Sequence, residues 1–190
     1  MYNIEKIKND LKNILSQFRF EHSLLVADEA RKLALHYNYD SEKAYVAGLV
    51  HDIAKEFDDS QNDKWIKKYN LTGDIFTPQY KNVVHANIGA VVVKEYYHFD
   101  DEICNAVCYH AIGNVPMSKL DKIVFIADKI ARQISTPLIE ELRVLAYQDI
   151  DRALKVYLNN QISKLESRGL SMPPVSLELL NNLENKYNNN

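Results

Sequence analysis

Apolar positions recur at helical spacing along almost the whole chain. Ile4, Ile7, Leu11, Ile14 and Phe18 form a first stripe, and Leu25, Val26, Ala30 and Leu33 form a second over residues 21–37. Asp40-Ser41 supplies an N-cap for a third helix, in which Tyr45, Leu49, Ile53 and Phe57 recur. The polar run Asp58 to Asn62 breaks the pattern before a short helix around Trp65, and Thr77-Pro78 marks another helix start because proline suits the first helical position. Helices follow over 85–97, 100–112, 118–133, 138–146, 149–168 and 176–187, with Asp100 and Ser118 as N-caps and Gly113 and Gly169 as stops. Val91-Val92-Val93 is β-branched but lies inside a helical window, and no convincing period-two strand is present. The expectation is an all-α bundle of about nine short helices, forming a single domain over residues 1–190 and ending in a frayed tail at Asn188-Asn189-Asn190.

Composition narrows the classes. Hydrophobic residues make up 46 % and charged residues 26 % of the 190, a balance that builds a core without help from disulfides or a structural metal. A metal in such a chain therefore points to chemistry. The net charge of −3 and the scattered lysines and arginines exclude a non-specific nucleic-acid binder, which shows a basic face. Cys104 and Cys108, four apart in an apolar run, read as small buried hydrophobes. The charged amphipathic start has no apolar leader core, and no run approaches the ~18 apolar residues of a membrane span, which makes the cytoplasm the default.

Four polar residues break this bland picture. His51-Asp52 lies within the otherwise apolar run Gly48-Leu49-Val50-His51-Asp52-Ile53-Ala54, and Asp128 ends the run Ile123-Val124-Phe125-Ile126-Ala127. An ionised carboxylate in such company is costly to bury without a cation beside it. His22 stands near the start of the second helix. Taken singly, each histidine reads as a hydrogen-bonded core residue and each aspartate as a cap or ion-pair partner. Taken together, two imidazoles and two carboxylates make a divalent-metal site that suits iron(II), manganese, magnesium, cobalt or zinc.

The order H…HD…D resembles the HD-domain superfamily of helical metal-dependent phosphohydrolases. The longer strings Arg19-Phe20-Glu21-His22-Ser23-Leu24, Ala47 to Lys55, Val84-His85-Ala86-Asn87-Ile88-Gly89-Ala90, Tyr109-His110-Ala111-Ile112-Gly113 and Met117 to Asp128 resemble its YqeK family of symmetrical bis(5'-nucleosyl)-tetraphosphatases. The resemblance runs from about residue 15 to residue 180 and implies cleavage of diadenosine tetraphosphate to two ADP. It implies an iron-type metal on His22, His51, Asp52 and Asp128, with a second ion near His85 and His110 as a further option. Asp52, Lys55, His85 and His110 are then the catalytic candidates. Substrate contacts fall to Arg19, Lys55, His85, His110, Ala111, Asp128, Arg132 and Ile134, and to the loop Leu170, Ser171, Met172, Pro173, Pro174 and Val175. The sequence departs from the family after Asp128. Where the family reads close to A-D-x-I-E-P-x-R, this chain has Ala131-Arg132 for the Glu-Pro pair and Ile134 for the arginine. A continuous helix would aim Arg132 roughly 200° away from position 134.

The chemistry expected is water activated by the metal, attack beside the central bridging oxygen, and protonation of the departing ADP by His85 or His110. Asp52 is both a ligand and a water-orienting base in this scheme. The alternatives are an HD phosphohydrolase for a nucleoside monophosphate, a deoxynucleotide or a guanosine alarmone, and a metal-containing nucleotide sensor without turnover. A small nucleotide is the expected partner, and an exposed apolar stripe on the first helix would allow a homodimer.

Overall fold

The computed structural model describes residues 2–188 and is helical throughout, with no strand among the described residues. In chain order it runs α1 (Ile4–Ile14), α2 (Gln17–His36), α3 (Ser41–Val50) and α4 (Asp59–Tyr69). Two short 3-10 turns follow, Asp74–Phe76 and Pro78–Tyr80. Then come α5 (Val84–Tyr97), α6 (Asp101–Tyr109), α7 (Lys119–Ile130), α8 (Pro137–Gln148), α9 (Ile150–Glu166) and α10 (Pro174–Asn188). The all-α expectation holds, with ten α-helices among the described residues rather than about nine. Thr77-Pro78 starts only a single 3-10 turn. Asn189 and Asn190 of the expected tail lie outside the described residues, and α10 takes in Asn188.

Side-chain caps decide most of the starts. The carboxylates of Asp40 and Asp100 accept from the backbone N–H three residues on, and Ser118 and Asp121 cap each other reciprocally in a capping box. Each such cap contributes about 1 kcal/mol. Ser16 does the same for α2 and corrects the first stripe. Its Oγ accepts from the Arg19 N–H at 3.3 Å, while the Glu56 carboxylate accepts from the Ser16 N–H and hydroxyl at 2.6 and 2.7 Å. The chain therefore breaks at Leu15-Ser16, and Phe18 belongs to α2, where it is 68 % exposed. Ile7 and Leu11 are buried in the chain's own core, so α1 offers no free apolar stripe to a second subunit.

The third helix also stops earlier than its apolar period suggests. It ends at Val50, and the backbone tightens into turns in which Ile53, Lys55 and Phe57 donate to the carbonyls three residues back. His51 and Asp52 thus sit at a helix exit, not in mid-helix as expected. Lys55 follows in the same turns, its N–H donating to the Asp52 carbonyl at 2.9 Å.

Two packing features place the site. Gly48 of α3 lies against the α2 backbone: a Cβ there would fall 3.0 Å from Ala27 Cα and 3.0 Å from the Val26 carbonyl oxygen. Real side chains essentially never come closer, so glycine permits this approach. Helix α7 is surrounded, with every residue from Ile123 to Ile130 buried. Phe125 packs edge-on against Tyr157 of α9 with ring centroids 5.5 Å apart. Cys104 and Cys108 are free thiols, and burial pushes Cys108 up to about 11.

Candidate metal centre

Four helices and one turn deliver the polar residues to a single buried spot. His22 comes from the second turn of α2, His51 and Asp52 from the exit of α3, His85 from the start of α5, His110 from the end of α6 and Asp128 from α7. All six are buried. Their donor atoms form two overlapping trios: His22, His51 and Asp128, and His51, Asp52 and His110, with every ligand atom of a trio within 4.8 Å of the others. His51 belongs to both.

The backbone sets which nitrogen of each ring faces inward. A carbonyl can only accept, so His51 Nδ1, 2.7 Å from the Gly48 carbonyl, carries a proton and donates it. His110 Nδ1 donates in the same way to the Val107 carbonyl at 2.7 Å, and His85 Nδ1 to the Asn82 carbonyl at 3.1 Å. Their Nε2 atoms are left facing the carboxylates. His85 Nε2 lies 3.1 Å and His110 Nε2 3.5 Å from Asp52 Oδ1, and His22 Nε2 lies 3.0 Å from Asp128 Oδ1. His51 Nε2 is buried without a hydrogen-bond partner, with Asp52 Oδ2 at 3.5 Å and Asp128 Oδ1 at 3.6 Å.

Titration follows from burial and these neighbours. Burial pushes His22 and His85 below the ordinary imidazole value, and His110 down to about 4. Burial acts the same way on His51, but Asp52 and Asp128 outweigh it and hold the ring up at about 9. Both carboxyls are held well below their usual range despite burial, Asp52 chiefly by His51 and Asp128 chiefly by Lys129. The outcome is two ionised carboxylates and three neutral imidazoles around an orphaned ring nitrogen. A divalent cation fits this donor set, since metal ligands must be deprotonated and neutral imidazole with carboxylate suits a borderline ion.

Cations ring the centre. Arg19 donates to Asp52 Oδ2 at 2.8 Å, and Lys55 Nζ lies 3.3 Å from each ring nitrogen of His85 and 3.4 Å from the Asn82 carbonyl. Just past the end of α7 at Ile130, Arg132 Nη2 donates to Asp128 Oδ1, four residues back, at 3.2 Å. The residue that sequence reasoning missed is Lys129. It is buried, and its ammonium donates to Asp128 Oδ2 at 2.7 Å and to the His110 carbonyl at 3.2 Å. The signal was available: Lys129 stands directly after Asp128 at the end of the apolar run Ile123 to Ala127, where a buried ammonium needs a carboxylate beside it.

Other expected substrate contacts stand around this cluster, not within it. Ile134 is 81 % exposed and borders a cleft that His22 also lines. Ala111, Leu170, Ser171, Met172 and Pro173 line a cavity of about 200 Å³ together with Asn82, and Ser171 Oγ accepts from Gln79 Nε2 at 2.7 Å. Pro174 and Val175 face a neighbouring cavity of about 350 Å³.

The sequence profile of the HD domain family matches residues 19–133, a span that holds His22, both members of the HD pair and Asp128. The chain belongs to the HD domain family. It is 30 % identical over 94 % of its length to a Staphylococcus aureus protein named "Bis(5'-nucleosyl)-tetraphosphatase, symmetrical", covering 93 % of that protein. A Halalkalibacterium halodurans protein of the same name is 31 % identical, with 91 % of this chain and 92 % of the relative aligned. In structure the chain is similar to a crystallised Clostridium acetobutylicum protein described as a "predicted HD superfamily hydrolase involved in NAD metabolism". The TM-score is 0.91 at 33 % identity, covering 98 % of this chain and 99 % of that one. Among the described residues no helix is long and apolar enough to cross a membrane.

Proposed function

We propose that this protein is a metal-dependent hydrolase that cleaves diadenosine tetraphosphate symmetrically to two ADP, working in the cytoplasm as one domain over residues 1–190. The observation that carries the reading is the pair of buried ligand trios sharing His51. Near full-length similarity to proteins named for that activity supports the choice of substrate.

His22, His51, Asp52 and Asp128 would hold the ion, iron being the one that the family resemblance implies, and the trio of His51, Asp52 and His110, with His85 beside it, offers a place for a second. A divalent cation there lowers the pKa of water and offsets phosphoryl charge. The chain's residues do the rest. Asp52, ionised and hydrogen-bonded to Arg19, orients the attacking water through its carboxylate. Water adds at a phosphorus next to the central bridging oxygen, the bond from that phosphorus to the bridge breaks, and one water and one dinucleotide give two ADP. Lys55, Arg19 and Arg132 stand at the rim, where the remaining phosphate oxygens need counter-charge. His85 or His110, neutral with its inward Nε2 unprotonated, would take a proton from the attacking water at that nitrogen and pass it to the departing bridge oxygen. Lys55 lies against the His85 ring, and burial, together with the charge of that lysine, favours the neutral imidazole that can accept such a proton.

Ile134 favours a second reading within the same chemistry. An exposed isoleucine stands where the family carries an arginine, which fits a phosphohydrolase acting on a different nucleotide. An anaerobic assay of the iron(II)-loaded protein with diadenosine tetraphosphate, resolving products by ion exchange, decides between them. ADP alone, lost on chelation and restored by metal, is the expected result. AMP with ATP, or no turnover beside brisk hydrolysis of another nucleotide, would reject the symmetrical activity.

A further inference from the structure

A dinucleotide cut at its middle carries one nucleoside on each side of the scissile bond, so a second base leaves the centre on the side away from the first. The loop that carries Leu170 to Pro173 borders one cavity, also lined by Ala111, which follows His110, and by Asn82, whose carbonyl accepts from His85 Nδ1. A second cavity, of about 360 Å³, opens at the opposite ligands. His22 forms part of its wall, and so does Arg132, which donates to Asp128.

We propose that this second cleft, between Phe18 and Leu25 of α2 and Ile134 and Ile139 beyond α7, seats the second adenine of the dinucleotide. The proposal rests on the substrate reading above. Its size falls within the range of about 300–1,000 Å³ common to small-molecule pockets. Its walls are apolar and unusually open to water: Phe18 is 68 %, Ile134 81 % and Leu25 39 % exposed. Large apolar side chains held in solvent around a concavity mark a binding surface. A purine presents flat apolar faces, and an aromatic ring flanked by branched aliphatics matches them.

Charge at the joint between cleft and centre points the same way. Arg19 donates to Asp52 and lies 5.9 Å from the Phe18 ring, and Arg132 is shared between the cleft wall and Asp128. Two guanidinium groups thus stand where phosphates would pass from the centre to the base. The departure at position 134 acquires a purpose on this account, because an isoleucine extends the apolar shelf where an arginine would have charged it.

The test compares diadenosine tetraphosphate with adenosine 5'-tetraphosphate, which has the same four phosphates and only one nucleoside. In the iron(II)-loaded Phe18→Ser/Ile134→Ser variant the ratio of kcat/KM values, dinucleotide over mononucleotide, should fall about tenfold, the scale on which losing one base stack acts. An unchanged ratio overturns the proposal. Both side chains are largely exposed, so the fold should survive the change. If the wild-type protein hydrolyses neither compound, the substrate reading fails, and the cleft is then judged by binding. A diadenosine tetraphosphate analogue with a methylene central bridge, titrated into the zinc-loaded protein, should move the methyl resonances of Ile134 and Ile139 by ring current. Methyl signals that stay still at saturation would overturn the assignment. A dimer that the double variant abolishes, with those signals unmoved, would give the patch to a second copy of the chain instead.

Discussion

Lys129 Nζ lies 2.7 Å from Asp128 Oδ2, so two neighbours in sequence form an ion pair inside the core, each with a side chain only 9 % exposed. Burial alone would push the lysine down, but Asp128 more than reverses this and keeps it charged. Phe125 and Tyr157 add their rings at 4.8 and 5.3 Å from the ammonium. Lys129 therefore acts as a permanent counter-ion to one oxygen of Asp128 and leaves the other for the centre.

Replacing Lys129 with Met strands that carboxylate. Breaking a buried pair from one side costs about 3–5 kcal/mol, and the metal-free variant should melt correspondingly lower. Added divalent metal should recover part of the loss, because it supplies positive charge beside Asp128 in addition to that of Arg132. The metal-induced rise in Tm should be larger in the variant than in the wild type, and an equal rise would refute the counter-ion role.

His51 gives a prediction about protons. The two carboxylates hold it at about 9, so near neutral pH it carries protons on both nitrogens. A cation that takes Nε2 must displace one of them, whereas burial keeps His22, His85 and His110 neutral already. Metal binding near neutral pH should release about one proton, and the release should vanish as the pH rises past the value of His51. Calorimetric titration in buffers of different ionisation enthalpy measures this directly; a heat independent of buffer would contradict it.

Asp52 takes part in both chemistry and ligation, so Asp52→Ala should abolish turnover and weaken metal binding while leaving the helices in place. Removing one half of a buried network leaves Arg19, His85 and His110 facing each other without a counter-charge. Circular dichroism should show wild-type helicity beside a loss of at least about a hundredfold in rate, in the range that acid–base groups contribute. A variant with near wild-type activity would sink the scheme.

Far from the centre, Asp151 on α9 ties three helices together. It pairs with Lys122 of α7 at 2.7 Å and with Lys186 of α10 at 2.5 Å. Burial pushes its carboxyl up, and the two ammonium groups more than offset that, leaving it below the ordinary 3.8. A carboxyl depressed on folding stabilises the protein above its unfolded value and loses that contribution as the pH falls through the lower folded value. Asp151→Asn should cost about 1–3 kcal/mol near neutral pH, reduced from the buried-pair figure because Lys186 is solvent-exposed. Denaturant melts of the chelated proteins should converge below about pH 4. Curves that stay parallel down to acid would dismiss this role.

The buried polar cluster was legible in part because His51, Asp52 and Asp128 each interrupt an apolar run, and a polar group in such a place needs a partner. What the sequence concealed was where helices stop. Phe18 keeps the spacing of α1, so only the Glu56 carboxylate on Ser16, a contact across the fold, reveals the break. Ile53 and Phe57 likewise continue the period of α3 past its true end, and the tighter winding of His51 and Asp52 leaves no trace in spacing. The all-α class needed none of these boundaries and followed from period alone.

Gly48 has no side chain to offer, yet two dimensions of the centre depend on it. Its missing Cβ lets α3 close on α2, which fixes how far His51 stands from His22, and its carbonyl chooses the tautomer of His51. Helix approach and ring protonation are thus decided at one position, and a mutational survey restricted to residues able to donate, accept or ligate would pass over it. What that position contributes is an atom's worth of empty space.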